Sequence, residues 1–208
     1  MLCRLHFIGA PGAILCAAFV VAAAFAGDAP PAAASSCLAA GDGALQARVR
    51  GAIDVDVNWT NAQMSCEGGM RPGGKGVRVT LAGPLPVTAG GNPADGKESR
   101  LRFVFGIGFK DRAPGVAQVL PTNLTVIVEG QQQLFATRGD DKCAVEVFEV
   151  TPLLAGGAHV SNGAHGASRQ RIHARGYCTG PASDLQGTRR VLVSTFEFTS
   201  QINAGEEP

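Results

Sequence analysis

The clearest pattern in the sequence is the alternation of large apolar residues with small or charged ones over Leu101–Phe109. Successive side chains of a strand point to opposite faces of a sheet, so the apolar residues share one face. A helix would scatter them, and Gly106 and Gly108 would weaken it. The segment is therefore predicted to be a core strand. Its two glycines predict close packing, or a groove, on the other face.

Ile53–Trp59 alternates as cleanly, and weaker alternation between turn-rich stretches predicts further strands. These are Leu45–Arg50, Val77–Leu81, Leu124–Glu129, Gln133–Arg138, Cys143–Val150, Arg169–Cys178 and Val191–Phe198. The fourth and fifth predict a hairpin around Gly139, and the glycine-rich stretch 68–76 predicts a loop. About nine strands without a helix predict an all-β domain. The favoured architecture is an antiparallel β-sandwich, and the alternative is a jelly-roll-like fold or a partly open barrel.

The start of the chain predicts a segment outside this fold. Arg4 precedes an uncharged, mostly apolar run over Phe7–Phe25, and Ala24-Phe25-Ala26 fits a signal peptidase site. A retained membrane anchor is the alternative interpretation of this run, and no later stretch is long and apolar enough to span a membrane. The expected organisation is a cleaved signal peptide at 1–26, an Ala/Pro-rich tether at 27–43, a single β-sandwich domain at 44–200 and a polar tail at 201–208.

Four cysteines follow the predicted cleavage site, namely Cys37, Cys66, Cys143 and Cys178. An even number in an exported chain predicts two disulfides, and pairing between sequence neighbours gives Cys37–Cys66 and Cys143–Cys178. The expected location is the periplasm or the outside of the cell. Lipid anchoring through Cys37 is a minor alternative, because the residues before it fit a lipobox poorly. No CxxC pair predicts a zinc site.

Charge and motifs exclude several function classes. The chain has 18 lysines and arginines and 17 acids, and only Arg4 lies in the predicted signal peptide, so the mature protein is near neutral. Nucleic-acid binding is therefore not expected. The sequence lacks the HExxH, GxSxG and P-loop patterns, and the spacing of His159, His165 and His173 matches no compact metal motif. No metal or other cofactor is predicted.

The sharpest local feature is the segment RQRIHARGYC. As a strand it would present one outward row, consisting of Arg169, Arg171, His173, Arg175 and Tyr177. Guanidinium groups bind phosphates and carboxylates, so this row is the candidate site for an anionic lipid or polysaccharide of a bacterial envelope. Arg189 and Arg190 are expected nearby if the following strand forms a hairpin with this one. The alternative is a solvated face whose arginines pair with acids such as Glu146 or Glu149.

The sequence thus predicts an exported, non-catalytic binding or structural module of the cell envelope. Its partner would be an anionic envelope component or another envelope protein, the latter through a sheet edge. The alternative function is a hydrolase of envelope polysaccharides or esters that uses Asp54 and Asp56, which share a strand face, or another acid that the fold brings near. Arg138-Gly139-Asp140 forms an RGD tripeptide that is better explained as turn chemistry. Asn58 and Asn123 head glycosylation sequons on or beside predicted strands.

Overall fold

A computed structural model describes residues 37–72, 75–86, 99–109, 119–153 and 168–204. The predicted signal peptide, the tether up to residue 36, His159, His165 and residues 205–208 lie outside the described residues. The strands are β1 (Ala44–Gly51), β2 (Val55–Thr60), β3 (Ser65–Met70), β4 (Gly76–Pro84), β5 (Arg100–Gly108), β6 (Leu120–Glu129), β7 (Gln133–Ala136), β8 (Cys143–Pro152), β9 (Ser168–Cys178), β10 (Ala182–Ser183) and β11 (Arg190–Ala204). Within these ranges no helix is long and apolar enough to cross a membrane.

The described strands form one hydrogen-bonded sheet that closes on itself. One half has the order β3-β4-β5-β6-β7 and the other has the order β2-β1-β11-β9-β8. The halves join where β6 pairs with β8, where β10 bridges β7 and β11, and where Asn203 of β11 pairs in parallel with Gly69 of β3. The all-β prediction is confirmed. A clean sandwich of two separate sheets is not observed, because these joints make the sheet continuous.

The hydrophobic core lies between the inner faces of the two halves. Phe103 and Phe105 of β5 are fully buried, which confirms the alternation that predicted this strand. The Phe105 ring lies 4.8 Å from the rings of both Phe196 and Phe198 on β11. Trp59 of β2 meets Phe103 edge-on at 5.8 Å. Burying one such aromatic ring contributes about 1.5–3 kcal/mol, so these contacts across the core hold the halves together.

The predicted hairpin between the segments of β7 and β8 is wrong. β7 pairs with β6, whereas β8 pairs with the first residues of β6 and with β9. A tight connection after β6, with positive φ at Gly130 and Gln132, returns the chain onto β6. The disulfide between Cys143 and Cys178, which face each other in the β8–β9 ladder, holds β8 on β9 instead.

The loop predicted over residues 68–76 is in part a strand. β3 pairs with β4 along its whole length and carries Gly68 and Gly69. A Cβ at Gly68 would lie 2.6 Å from the backbone oxygen of Gln201, so the glycine permits β11 to approach closely. The short β10 was also not predicted, and the described residues therefore contain eleven strands rather than about nine.

Both predicted disulfides, Cys37–Cys66 and Cys143–Cys178, are confirmed, and such bonds are typical of an oxidising compartment. Residues 37–43 belong to the folded body rather than to the tether, because Leu38 is buried and its amide donates to Asn61 Oδ1 at 2.7 Å. The Cys37 sulfur is bonded to Cys66, which leaves no thiol for a thioether-linked lipid and argues against the lipid-anchored alternative. β11 also runs past residue 200, to Ala204.

Candidate functional site

Strand β9 places the predicted row on the outer face of its half of the sheet. It lies between β11 and β8, with Ile172 and Ala174 buried in the core at 0% exposure. The alternating positions therefore point outward. Arg169 and Arg175 are exposed, whereas the side chains of Arg171 and His173 are 33% and 25% exposed.

Acidic side chains from three other segments contact two members of the row. Arg171 Nε lies 2.9 Å from Asp42 Oδ2, in the segment before β1. His173 lies between two carboxylates, with Nε2 2.9 Å from Glu197 Oε1 and Nδ1 3.5 Å from Glu149 Oε2. The positive charge of the row is therefore partly offset. Glu149 contacts His173 rather than an arginine.

A groove of about 440 Å³ opens on this face beside Arg175. Its charged and polar lining comes from five strands and comprises Gln46, Arg48, Asp56, Asn58, Glu146, Arg175, Tyr177, Thr195 and Glu197. The lining brings two residues of the predicted row, Arg175 and Tyr177, together with Asp56 of the alternative hydrolase and with residues that were not predicted as site residues. Arg169, Arg171 and His173 share the face but not the groove.

Two irregularities in the strand pairing border the groove. The β1–β11 register shifts between Arg48 and Val49, and the β8–β9 register shifts between Val145 and Val147, where Glu146 is the extra residue. Bulges increase local twist and change the direction of side chains. We attribute the hollow between β1 and β8 to these two shifts, since Arg48 and Glu146 both line it.

Arg175 is the guanidinium of the groove that has no ion pair among the described residues. It faces Glu197 across the β9–β11 ladder. Glu197 contacts His173 instead, and within the described part of the chain no carboxylate lies within 4.0 Å of Arg175. Arg48, the other groove guanidinium, lies 3.8 Å from Asp56. Among the described residues, the site thus combines one guanidinium without an ion pair with carboxylates, amides and a phenol.

The two carboxylates predicted for the alternative hydrolase both contact an arginine. Arg50 Nη1 lies 3.4 Å from Asp54, and Arg50 Nη2 lies 2.7 Å from Asp56. Both acids are largely exposed, with side-chain exposures of 73% and 67%. Such surface pairs, with water access to both carboxylates, are typical of a solvated sheet face.

Arg189 and Arg190 do not extend the row, contrary to expectation. β9 pairs with the later part of β11, whereas Arg190 opens β11 opposite Ser183 of β10. The Arg189 guanidinium donates to Gln133 Oε1 at 3.3 Å and lies 5.6 Å from the Phe135 ring centre. The prediction failed because residues 179–189 contain β10, which pairs with β7 and with the start of β11, and do not form a tight hairpin between β9 and β11.

On the opposite half of the sheet, Gly106 provides the close packing that the sequence predicted. A Cβ there would lie 2.4 Å from Asn123 Oδ1, so the Asn123 side chain fills the space. Asn123 Nδ2 donates to Asp140 Oδ1 at 2.6 Å, and Arg71 Nη1 lies 3.4 Å from Asp140 Oδ2. The RGD aspartate and the sequon asparagine are thus engaged in a structural cluster.

The described residues contain no group of three or more His, Cys, Asp or Glu side chains arranged to hold a metal ion. Comparisons of the chain with protein-family models, with curated proteins and with solved structures find no match.

Proposed function

We propose that this protein is an exported, non-catalytic module of the cell envelope that binds an anionic polysaccharide. The closed sheet serves as a sandwich-like scaffold, and the groove beside β9 is the binding site. The observation that carries the proposal is that the Arg175 guanidinium in the groove has no ion pair among the described residues. Its neighbour across the ladder, Glu197, contacts His173 instead. An unpaired guanidinium is a strong site for a ligand carboxylate or phosphate.

The balance of charge on the face favours a polysaccharide over an anionic membrane. Asp42, Glu149 and Glu197 lie among the cations of β9 and offset their charge. Attraction to an anionic bilayer needs an excess of basic residues near the surface, each contributing about 1 kcal/mol. A groove with amides, carboxylates and a phenol instead offers partners to many hydroxyl groups.

The geometry supports binding more than hydrolysis by the predicted carboxylates. Asp54 and Asp56 both contact Arg50, and neither is shielded from water. General acid catalysis requires a carboxyl group held protonated near neutral pH, usually by burial away from cations. Assays of the proposed ligand should therefore also measure release of reducing ends, and release by the purified protein would favour the hydrolase.

Two matched variants test the proposal. Arg175→Gln removes the groove guanidinium, and Arg169→Gln removes an exposed guanidinium of the same strand and face outside the groove. Binding to a polyuronate, measured by isothermal titration calorimetry, should weaken roughly tenfold or more in the first variant, since one charge-assisted interaction is lost. It should change less than about twofold in the second.

Three results would contradict the proposal. One is equal weakening by both variants, which would indicate a diffuse charge effect. Another is an absence of polysaccharide binding by the wild-type protein. The third is tighter binding to phosphatidylglycerol vesicles than to the polyuronate, which would assign the face to a lipid surface.

A further inference from the structure

We propose that the groove recognises a carboxylated sugar, a polyhydroxylated ring bearing one isolated carboxylate, rather than a densely sulfated or phosphorylated chain. This inference rests on the proposed function and specifies its ligand class. It follows from the order in which charges and hydrogen-bonding groups are arranged across the sheet.

Four polar side chains form a line across four neighbouring strands. Asn58 of β2 faces Gln46 of β1, Gln46 faces Glu197 of β11, and Glu197 faces Arg175 of β9. Strands lie about 4.8 Å apart, so the line extends roughly 14 Å. A linear saccharide lying across the strands would meet amides at one end and the guanidinium at the other.

The charges of the groove disfavour a dense polyanion. Asp56 contacts Arg48 and Arg50, so Glu146 and Glu197 are the groove carboxylates that have no arginine partner among the described residues. Sulfate or phosphate groups on successive rings would bring some of their charge next to these carboxylates. Like charges a few ångströms apart repel, most strongly where water is partly excluded.

The same carboxylates are suitable partners for hydroxyl groups. An ionised carboxylate only accepts hydrogen bonds, and the amides of Gln46 and Asn58 both donate and accept. A ring with several hydroxyls can satisfy them, while its single carboxylate pairs with Arg175. Tyr177, two residues farther along β9, adds an aromatic ring to the lining, against which the apolar face of a sugar can pack.

Three probes of equal chain length test the ligand class by calorimetry. They are a hexose oligosaccharide that contains a single hexuronate residue, a neutral hexose oligosaccharide and an oligosaccharide sulfated on every ring. Wild-type protein should bind the hexuronate roughly tenfold or more tightly than the neutral probe, because only the former pairs with Arg175. It should bind the sulfated probe more weakly than the hexuronate.

Variants of the groove should change this order in defined ways. Arg175→Gln should remove the preference for the hexuronate over the neutral probe. Glu197→Gln, which keeps the shape of the side chain, should increase the relative affinity for the sulfated probe by lowering the repulsion. Glu149→Gln is the matched control, since Glu149 also contacts His173 but does not line the groove, and it should leave the order unchanged.

The outcomes separate the two proposals. If the sulfated probe binds most tightly to the wild-type protein, the ligand class is wrong while polysaccharide binding stands. Equal affinities for the hexuronate and the neutral probe would overturn the role of Arg175 in ligand choice. If none of the probes, nor any polyuronate, binds, the proposed function fails together with its ligand class.

Discussion

Replacing Gly106 by alanine tests how the outer face of β5 is packed. An alanine Cβ would lie 2.4, 2.9 and 3.0 Å from Oδ1, Cγ and Nδ2 of Asn123. These three nearest atoms belong to one side-chain amide, which is itself held by Asp140 at 2.6 Å. The alanine should therefore displace the Asn123 amide and break its hydrogen bond to Asp140, whereas the β5 backbone stays paired with β4 and β6.

The expected cost follows from those contacts. A hydrogen bond to a charged group contributes roughly 1.5–3 kcal/mol, and about 1 kcal/mol is expected here because Asp140 is 39% exposed. Forcing Asn123 away from its rotamer costs a further 0.5–1.5 kcal/mol or so. Alanine gains roughly 0.5 kcal/mol over glycine in a strand. Gly106→Ala should thus lower the free energy of unfolding by about 1.5 kcal/mol.

A double-mutant cycle with Asn123→Ala isolates this packing term. Asn123→Ala alone should cost about 1 kcal/mol, through the lost hydrogen bond. Adding Gly106→Ala to it should meet no clash and should regain roughly 0.5 kcal/mol, because alanine is favoured over glycine in a strand. The coupling energy should then be about 2 kcal/mol.

Urea unfolding can be followed through the fluorescence of Trp59, the single tryptophan, which is buried against Phe103. A coupling energy below about 0.5 kcal/mol, the usual limit of additivity, would refute the packing of Asn123 over Gly106.

Three further predictions concern stability. Replacing Cys143 and Cys178 together by alanine should cost about 4 kcal/mol, the chain-entropy value for a loop of this length, and an unchanged midpoint of denaturation would contradict it. Ser200→Ala should raise the free energy of unfolding by about 1 kcal/mol, because the buried Ser200 hydroxyl has no hydrogen-bond partner among the described residues. A decrease in the free energy of unfolding would mean that this hydroxyl does form a hydrogen bond. Desolvation raises the pKa of the Asp184 carboxyl, but hydrogen bonds from Arg189, Thr188 and Gly187 outweigh it and lower the pKa below its usual 3.8. The ionised Asp184 should therefore stabilise the fold above pH 3.8, and this effect should be lost as the pH falls through the lowered pKa. Asp184→Asn should then make the free energy of unfolding depend less on pH in the acid range. An unchanged pH dependence would exclude this role.

The sequence could predict the features that depend on short stretches of chain. The alternation over β5 identifies a strand because one face of five apolar side chains needs no knowledge of its neighbours. The disulfides could be predicted for a similar reason, since the count and spacing of the four cysteines favour pairing of sequence neighbours. Strand pairing was harder to predict. The glycine and aspartates after β7 suit a hairpin, but the pairing depends on contacts of β8 with β6 and β9, which are distant in sequence.

The candidate site, too, could be predicted only where it depends on a short stretch of chain. Alternation within β9 suffices to put Arg175 and Tyr177 on one face, and the structure places both in the groove. The acids that contact Arg171 and His173 come from the segment before β1, from β8 and from β11. The fold brings them there, so no pattern within β9 could predict that Arg175 is the arginine of this row that lines the groove, while Arg169 and Arg171 do not.

One signal in the sequence could have indicated the groove. The inward residues of β11 are Val191 and Val193, followed after a gap of three by Phe196 and Phe198. A regular strand keeps a period of two, so this gap marks the extra residue of a bulge. An interpretation that keeps a strict period puts Leu192 on the face of Phe196, whereas in the structure Leu192 is only partly buried. Breaks in alternation thus carry information about the site, because the irregularity that spoils the strand pattern also borders the hollow beside Arg175.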